Sequence, residues 1–244
     1  MTGIRNLFTK YNIDYSRKLL SSNIDIAVFW TNTVENNVGG RNQILSIVAS
    51  AYTLLNDVMI DNKIPLTFTI KYNNLINFAE TTMKQDLKSF YLGTNGLKYT
   101  HYIRNKYKVD LMQLIVDNAE YCGYGYILKD KDTVSWRDYG LSLVHYNCLS
   151  YYSHIHEIGH NLGLNHNIED ATFGYKNYGF GYRYCDNSVK IRTIMSYNCP
   201  TTPSYRIPYF SSPDILYNGI PTGTRNANNR KVILKTKNLV SNFR

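Results

Sequence analysis

Residues 156–166 read His156-Glu157-Ile158-Gly159-His160-Asn161-Leu162-Gly163-Leu164-Asn165-His166. Residues four apart on a helix differ by about 40° in azimuth and about 6 Å in height, so His156 and His160 can aim two imidazoles at one point. Glu157, about 100° further round, leans over that point without joining it. His166 lies six residues past His160. A continued helix would carry it about 240° round and about 9 Å along, onto the wrong side. The helix must stop and the chain must turn back. Gly163 permits this, because glycine takes the left-handed, helix-ending conformation without steric cost. Three neutral histidines and one open position make catalytic zinc stereochemistry, whereas structural zinc sites are closed by four protein ligands. One Zn2+ on His156, His160 and His166 is therefore expected, with Glu157 as a catalytic group beside it. Gly159 points the same way. A mid-helix glycine costs about 1 kcal/mol relative to alanine and suits a place where another group comes close to the backbone. His154 is about 200° from His156 and cannot share the metal. His101 and His145 read as ordinary histidines.

Around this stretch the periodicity predicts alternating elements. The helix itself spans Ser150–Leu162, with Tyr151, Ile155, Ile158 and Leu162 on its apolar side. Ile24–Trp30 and Leu111–Val116 read as buried strands. Pro65–Tyr72 alternates Leu66, Phe68 and Ile70, the period of a strand, and Gly125–Leu128 and Leu141–Tyr146 are further candidates. Arg41–Ile60 reads as a helix with Ile44, Ile47, Val48, Ala51, Leu54, Leu55 and Val58 on one face. Thr81–Leu92 and the stretch Tyr102–Tyr107 read as helical too. From 163 to 224 the chain is rich in Gly, Pro, Asn and Tyr with no sustained period, hence irregular. A last helix runs from about Asn228 to Asn242, with Val232, Leu239 and Phe243 on its apolar side. The reading is an α/β (α+β) chain: an N-terminal extension, 1–23, then a single domain, 24–244. Its upper part, 24–163, and lower part, 164–244, would enclose a cleft, the natural place for a site.

Composition removes other classes. With 244 residues, 43% hydrophobic and 18% charged, the chain can bury a sizeable core and is not disordered by composition. The longest wholly apolar runs, such as Ile26–Trp30, fall far short of the ~20 residues of a membrane span, so none is expected. Met1–Leu20 lacks the apolar stretch of a secretory signal, so the expectation is either a protein that stays where it is made or a processed or trimmed form. The net charge is +9, and after Asp214 the residues Arg225, Arg230, Lys231, Lys235, Lys237 and Arg244 have no acid among them. No stacking or phosphate-binding motif accompanies these charges, so a solvated helix face is expected rather than a specific nucleic-acid partner. Four cysteines without a C-x-x-C pair exclude a zinc ribbon and by themselves allow three disulfide connectivities.

The 156–166 stretch resembles the extended zinc signature of the metzincin metalloendopeptidases. Thr193-Ile194-Met195-Ser196-Tyr197 resembles their Met-turn. Within the clan, Asp110–Val116 followed by Cys122–Tyr126 looks like the strand and the C-G-x-x-Y segment of microbial reprolysin-like (adamalysin-type) members. Phe210-Ser211-Ser212-Pro213 and Tyr217–Gly223 look like their C-terminal segment.

The resemblance implies a twisted, mostly parallel five-stranded sheet with one antiparallel edge strand, Gly123–Leu128. A protein or peptide substrate would add along that strand, main chain to main chain. It also implies disulfides Cys122–Cys148 and Cys185–Cys199, an apolar floor formed by Met195, and an extracellular location. The implied reaction is zinc-dependent endopeptidase hydrolysis. Zinc acidifies its bound water and polarises the scissile carbonyl, while Glu157 takes the water's proton and passes it to the leaving amine. Two residues depart from the reprolysin pattern. Asn167 stands where an Asp often follows the third histidine. Tyr197, two residues after the methionine, is more like astacins and serralysins, where such a tyrosine caps the zinc. Tyr197 is thus a second candidate catalytic residue, as a donor to the oxyanion. The alternative is a non-proteolytic, protein-binding module on the same scaffold, against which the intact Glu157 argues.

Overall fold

Ser22–Thr31 forms strand β1, and Ile24, Ile26, Val28 and Trp30 alternate with Ala27 and Phe29 between its two faces, all at most 1% exposed. A strand buried on both sides needs cover on both, and the elements that follow supply it. The computed structural model describes residues 21–129, 136–171, 175–186 and 188–244, so nearly all of the proposed extension 1–23 lies outside the described residues. Thr31 caps the short helix α1, Asn32–Asn37, by accepting from the Val34 N–H. Helix α2, Arg41–Asp61, leads to strand β2, Leu66–Ile76. Thr82 caps α3, Met83–Leu92, which Gly93 ends in left-handed backbone, and α4 spans Lys98–Tyr107. Strands β3, Leu111–Val116, β4, Gly123–Gly125, and β5, Leu141–His145, complete the sheet. A 3-10 turn, Tyr146–Tyr151, then feeds helix α5, Ser153–Asn161.

The strand order is β2-β1-β3-β5-β4. All neighbours run parallel except β4, which lies antiparallel to β5 at the edge with Gly123 opposite Val144. One face is covered by α2 and α5, whose Ile44, Val48, Leu55, Ile155 and Ile158 meet Ile24, Ile26 and Val28. The other is covered by α3 and α4, whose Leu87, Phe90 and Ile103 meet Ala27, Phe29 and Leu114. By length and apolar composition α2 could cross a bilayer. Its residues Ile44, Val48, Ala51, Tyr52, Leu55, Val58 and Met59 are instead buried in this core.

Three expectations change. The edge strand ends at Gly125 rather than Leu128, because the Leu128 N–H leaves β5 and donates to the His160 carbonyl at the end of α5. Tyr151 is 68% exposed and is no part of the apolar side of α5, since the helix starts two residues later, after Tyr152 takes left-handed backbone. The lower part is less irregular than its composition suggests. It carries β6, Asn165–Asn167, with β7, Phe180–Gly181, in parallel. The strands β8, Arg183–Cys185, β9, Lys190–Arg192, and β10, Tyr205–Arg206, form a small sheet. The hairpin β11, Leu216–Tyr217, and β12, Ile220–Pro221, precedes the last helix, α6, Asn229–Val240. Two disulfides, Cys122–Cys148 and Cys185–Cys199, join the pairs the resemblance implies. Several C-terminal cations have local partners. Lys231 and Lys235 sit over the Tyr178 ring, Arg230 donates to the carbonyls of Asn62 and Lys63, and Arg244 pairs with Asp138.

His154 is fully buried, with Nε2 2.8 Å from the Ala51 carbonyl, and burial lowers its imidazole to about 4. Below its unfolded value of about 6.5 the unfolded chain takes up a proton that the folded chain refuses, so this histidine costs stability as the pH falls from about 6.5 to 4. Between pH 7 and 4.5 wild type should lose about 2 kcal/mol relative to His154→Gln. Parallel denaturant titrations of the two proteins at both pH values check this, and equal losses would refute it.

Candidate active site

Helix α5 ends in a Schellman motif: the Gly163 N–H donates to His160 and the Leu164 N–H to Gly159, at 2.9 and 3.0 Å. Gly163 has φ +91°, and a Cβ on it would lie 2.8 Å from Tyr175 Cβ, so both backbone and space demand glycine. The reversal carries His166, on β6, back under the helix. His166 Nε2 then lies 3.2 Å from Nε2 of His156 and 3.2 Å from Nε2 of His160.

The donor set fits zinc. His156 Nδ1 lies 2.8 Å from the Ile194 carbonyl and His160 Nδ1 lies 2.9 Å from the Leu164 carbonyl. A carbonyl only accepts, so both Nδ1 atoms carry the hydrogen and both Nε2 atoms present lone pairs. Nitrogens at about 2.05 Å from a tetrahedral ion stand about 3.3 Å apart, which matches the separation of His166 Nε2 from each of the other two. Burial keeps the three rings neutral: His160 and His166 are lowered to about 3 and 4, and His156 also falls well below its ordinary value.

Met195 is fully buried beneath the helix. A Cβ on Gly159 would stand 2.5 Å from its Sδ, which accounts for the glycine inside α5. Asn167, where the reprolysin pattern often has Asp, accepts at Oδ1 from the Tyr197 N–H at 3.0 Å and from Ser196 Oγ at 3.2 Å. The Met-turn is thereby tied to the strand that carries His166. The Tyr197 ring packs on His166 with centroids 4.1 Å apart and is half-exposed to the cleft.

Glu157 is buried against the edge strand. A Cβ on Gly123 would lie 2.5 Å from Glu157 Oε1, and one on Gly125 would lie 3.1 Å from Oε2. These two glycines let the carboxylate sit between strand and helix; without the fold, their role was not readable. Asn161 Nδ2 locks the same junction by donating to the carbonyls of Tyr126 and Leu141. Burial raises the Glu157 carboxyl to about 8, with the Arg206 guanidinium acting in the opposite direction. The cleft has a volume of about 510 Å³, and its walls include Tyr124, Glu157, the three histidines, Tyr197 and Arg206. Arg206 had no signal in the sequence. Cys122–Cys148 ties the start of β4 to the turn before α5, and Cys185–Cys199 joins β8 to the segment after the Met-turn.

Comparison with known proteins agrees with this geometry. The chain is 32% identical over 228 residues to the peptidyl-Asp metalloendopeptidase of Stenotrophomonas maltophilia, covering 91% of this chain and 52% of that protein. The peptidyl-Asp metalloendopeptidase of Xanthomonas campestris pv. campestris is 32% identical over 226 residues with the same coverage. That of Pseudomonas fragi is 38% identical over 94 residues, 38% of this chain and 60% of that protein. The chain thus spans about half the length of the first two relatives. A solved structure titled "Structure of a chaperone-substrate complex" shares the fold at a TM-score of 0.70 and 19% identity, covering 91% of this chain and 35% of that one. The model of metallo-peptidase family M12 matches residues 20–211, and the chain belongs to that family.

Proposed function

We propose that the chain is an extracellular, zinc-dependent endopeptidase, acting beside aspartate as its relatives' name implies. The observation that carries the reading is the meeting of three Nε2 atoms, that of His166 3.2 Å from each of the other two, beside a buried glutamate at the wall of an open cleft. His156, His160 and His166 would hold the ion, which supplies Lewis acidity toward a water and a carbonyl. Glu157 accepts the proton of the attacking water and delivers it to the departing amine. The carbonyls of Ile194 and Leu164 hold His156 and His160 in the tautomer that leaves Nε2 free. Among the described residues one side of β4 has no neighbour in the sheet, so an extended substrate can add there as a sixth strand. The two disulfides favour an oxidising compartment.

Digestion of a peptide library by the zinc-loaded chain, with cut sites read by mass spectrometry, tests the reading. Internal cuts support it, and an uncut library refutes it.

Tyr197 acts as a hydrogen-bond donor to the developing oxyanion. The supporting observation is its place against His166 in the cleft. Tyr197→Phe keeps the ring and removes the hydroxyl, so kcat should fall ~100-fold or more with little change in KM or zinc content. A variant within about threefold of wild type would leave Tyr197 a packing role only.

A further inference from the structure

In the small lower sheet Arg183 of β8 stands opposite Arg192 of β9, and Arg192 stands opposite Arg206 of β10. Directly opposed residues share a face, and like charges placed this way repel. Arg183 is compensated: Glu169 and Asp170 lie 3.6 and 3.2 Å from its guanidinium. Among the described residues no carboxylate comes within 4.0 Å of Arg192 or Arg206. Arg192 spends Nη1 on the Ser196 carbonyl and Arg206 spends Nη1 on the Tyr151 carbonyl, while the Nε of each is buried without a partner. Burial first and the neighbouring Arg192 second lower the Arg206 guanidinium to about 10, with the Glu157 carboxylate across the cleft acting in the opposite direction. Arg206 also lines the cleft that holds Glu157 and the three histidines. A half-buried cation facing a binding cleft, with a second cation behind it and no carboxylate of the described residues within ion-pair distance, is arranged to receive an anion.

We infer that Arg206, backed by Arg192, is the specificity-determining residue that binds the carboxylate of a substrate aspartate next to the scissile bond. This rests on the proposed endopeptidase reading and names the residue behind its substrate preference. The match is chemical: a guanidinium offers parallel N–H donors to a carboxylate, whereas an asparagine amide at the same place leaves the charge unpaired.

The test measures binding rather than turnover, in zinc-loaded Glu157→Gln protein, where peptides stay intact. Fluorescence polarisation compares two amidated peptides that differ only in Asp or Asn beside the cut site, so the chain terminus contributes no carboxylate. With Arg206 present, Asp should bind at least ~30-fold more tightly than Asn, the lower end for a buried hydrogen-bonded charge pair. Arg206→Gln should bring the ratio to about 1, and Arg206→Lys should restore part of it. An unchanged ratio in Arg206→Gln would overturn the inference. So would an equal loss for both peptides, which is the mark of a positioning role toward Glu157 or of misfolding. An advantage seen only for peptides with a free C-terminal carboxylate would overturn it as well. Selective Asp binding by a chain that cuts no peptide would leave the inference standing and refute the endopeptidase reading. Cutting without Asp preference would do the reverse.

Discussion

Glu157→Gln should keep the zinc and lose at least ~100-fold in turnover, within the range of a positioned general base. The amide has the same shape but has no basic oxygen to take a proton at working pH. Its fit against Gly123 and Gly125 should survive, since the side chain fills the same space. Stopped assays on the purified variant, with metal content measured on the same sample, decide the matter. Normal cleavage by a zinc-replete Glu157→Gln protein would remove Glu157 from the role of base.

Stripping the zinc is the second large effect. A chelator should abolish peptide cleavage entirely, and stoichiometric Zn2+, one ion per chain, should restore it. The ion also stabilises the fold, because the unfolded chain has no site for it. At free zinc 1,000-fold above its dissociation constant the gain is about 4 kcal/mol, visible as a higher Tm in the loaded protein. The physical source lies in His156 and His160, whose Nε2 lone pairs are turned inward by carbonyls on their Nδ1 atoms. His160→Ala should therefore lose the metal and the stabilisation together. Activity that survives chelation, or a chain that takes up no zinc on reconstitution, would overturn the assignment.

Much of this site was legible because its grammar is local. The spacing of His156, Glu157 and His160 is set by one helical period, and the need for a reversal at Gly163 follows from the same arithmetic. Buried strands such as β1 and β3 announce themselves by runs of apolar, β-branched residues whose meaning depends on few neighbours. The disulfide pairs came from resemblance rather than from the cysteines' spacing, which by itself allows three connectivities.

What the tertiary structure alone decided involves residues that meet only after folding. Gly123 and Gly125 are loop-like letters in the sequence, and they matter because Glu157, more than thirty residues later, packs onto them. The edge strand ends at Gly125 because the Leu128 N–H finds the His160 carbonyl, a partner no periodicity in residues 123–128 could reveal. Asn167 reads as a departure from a motif until its amide oxygen is seen holding the Tyr197 N–H. Arg183, Arg192 and Arg206 are separated by nine and fourteen residues, a spacing with no period. They become a row only through strand register, and register is set by pairing across the sheet rather than by any one strand's own residues.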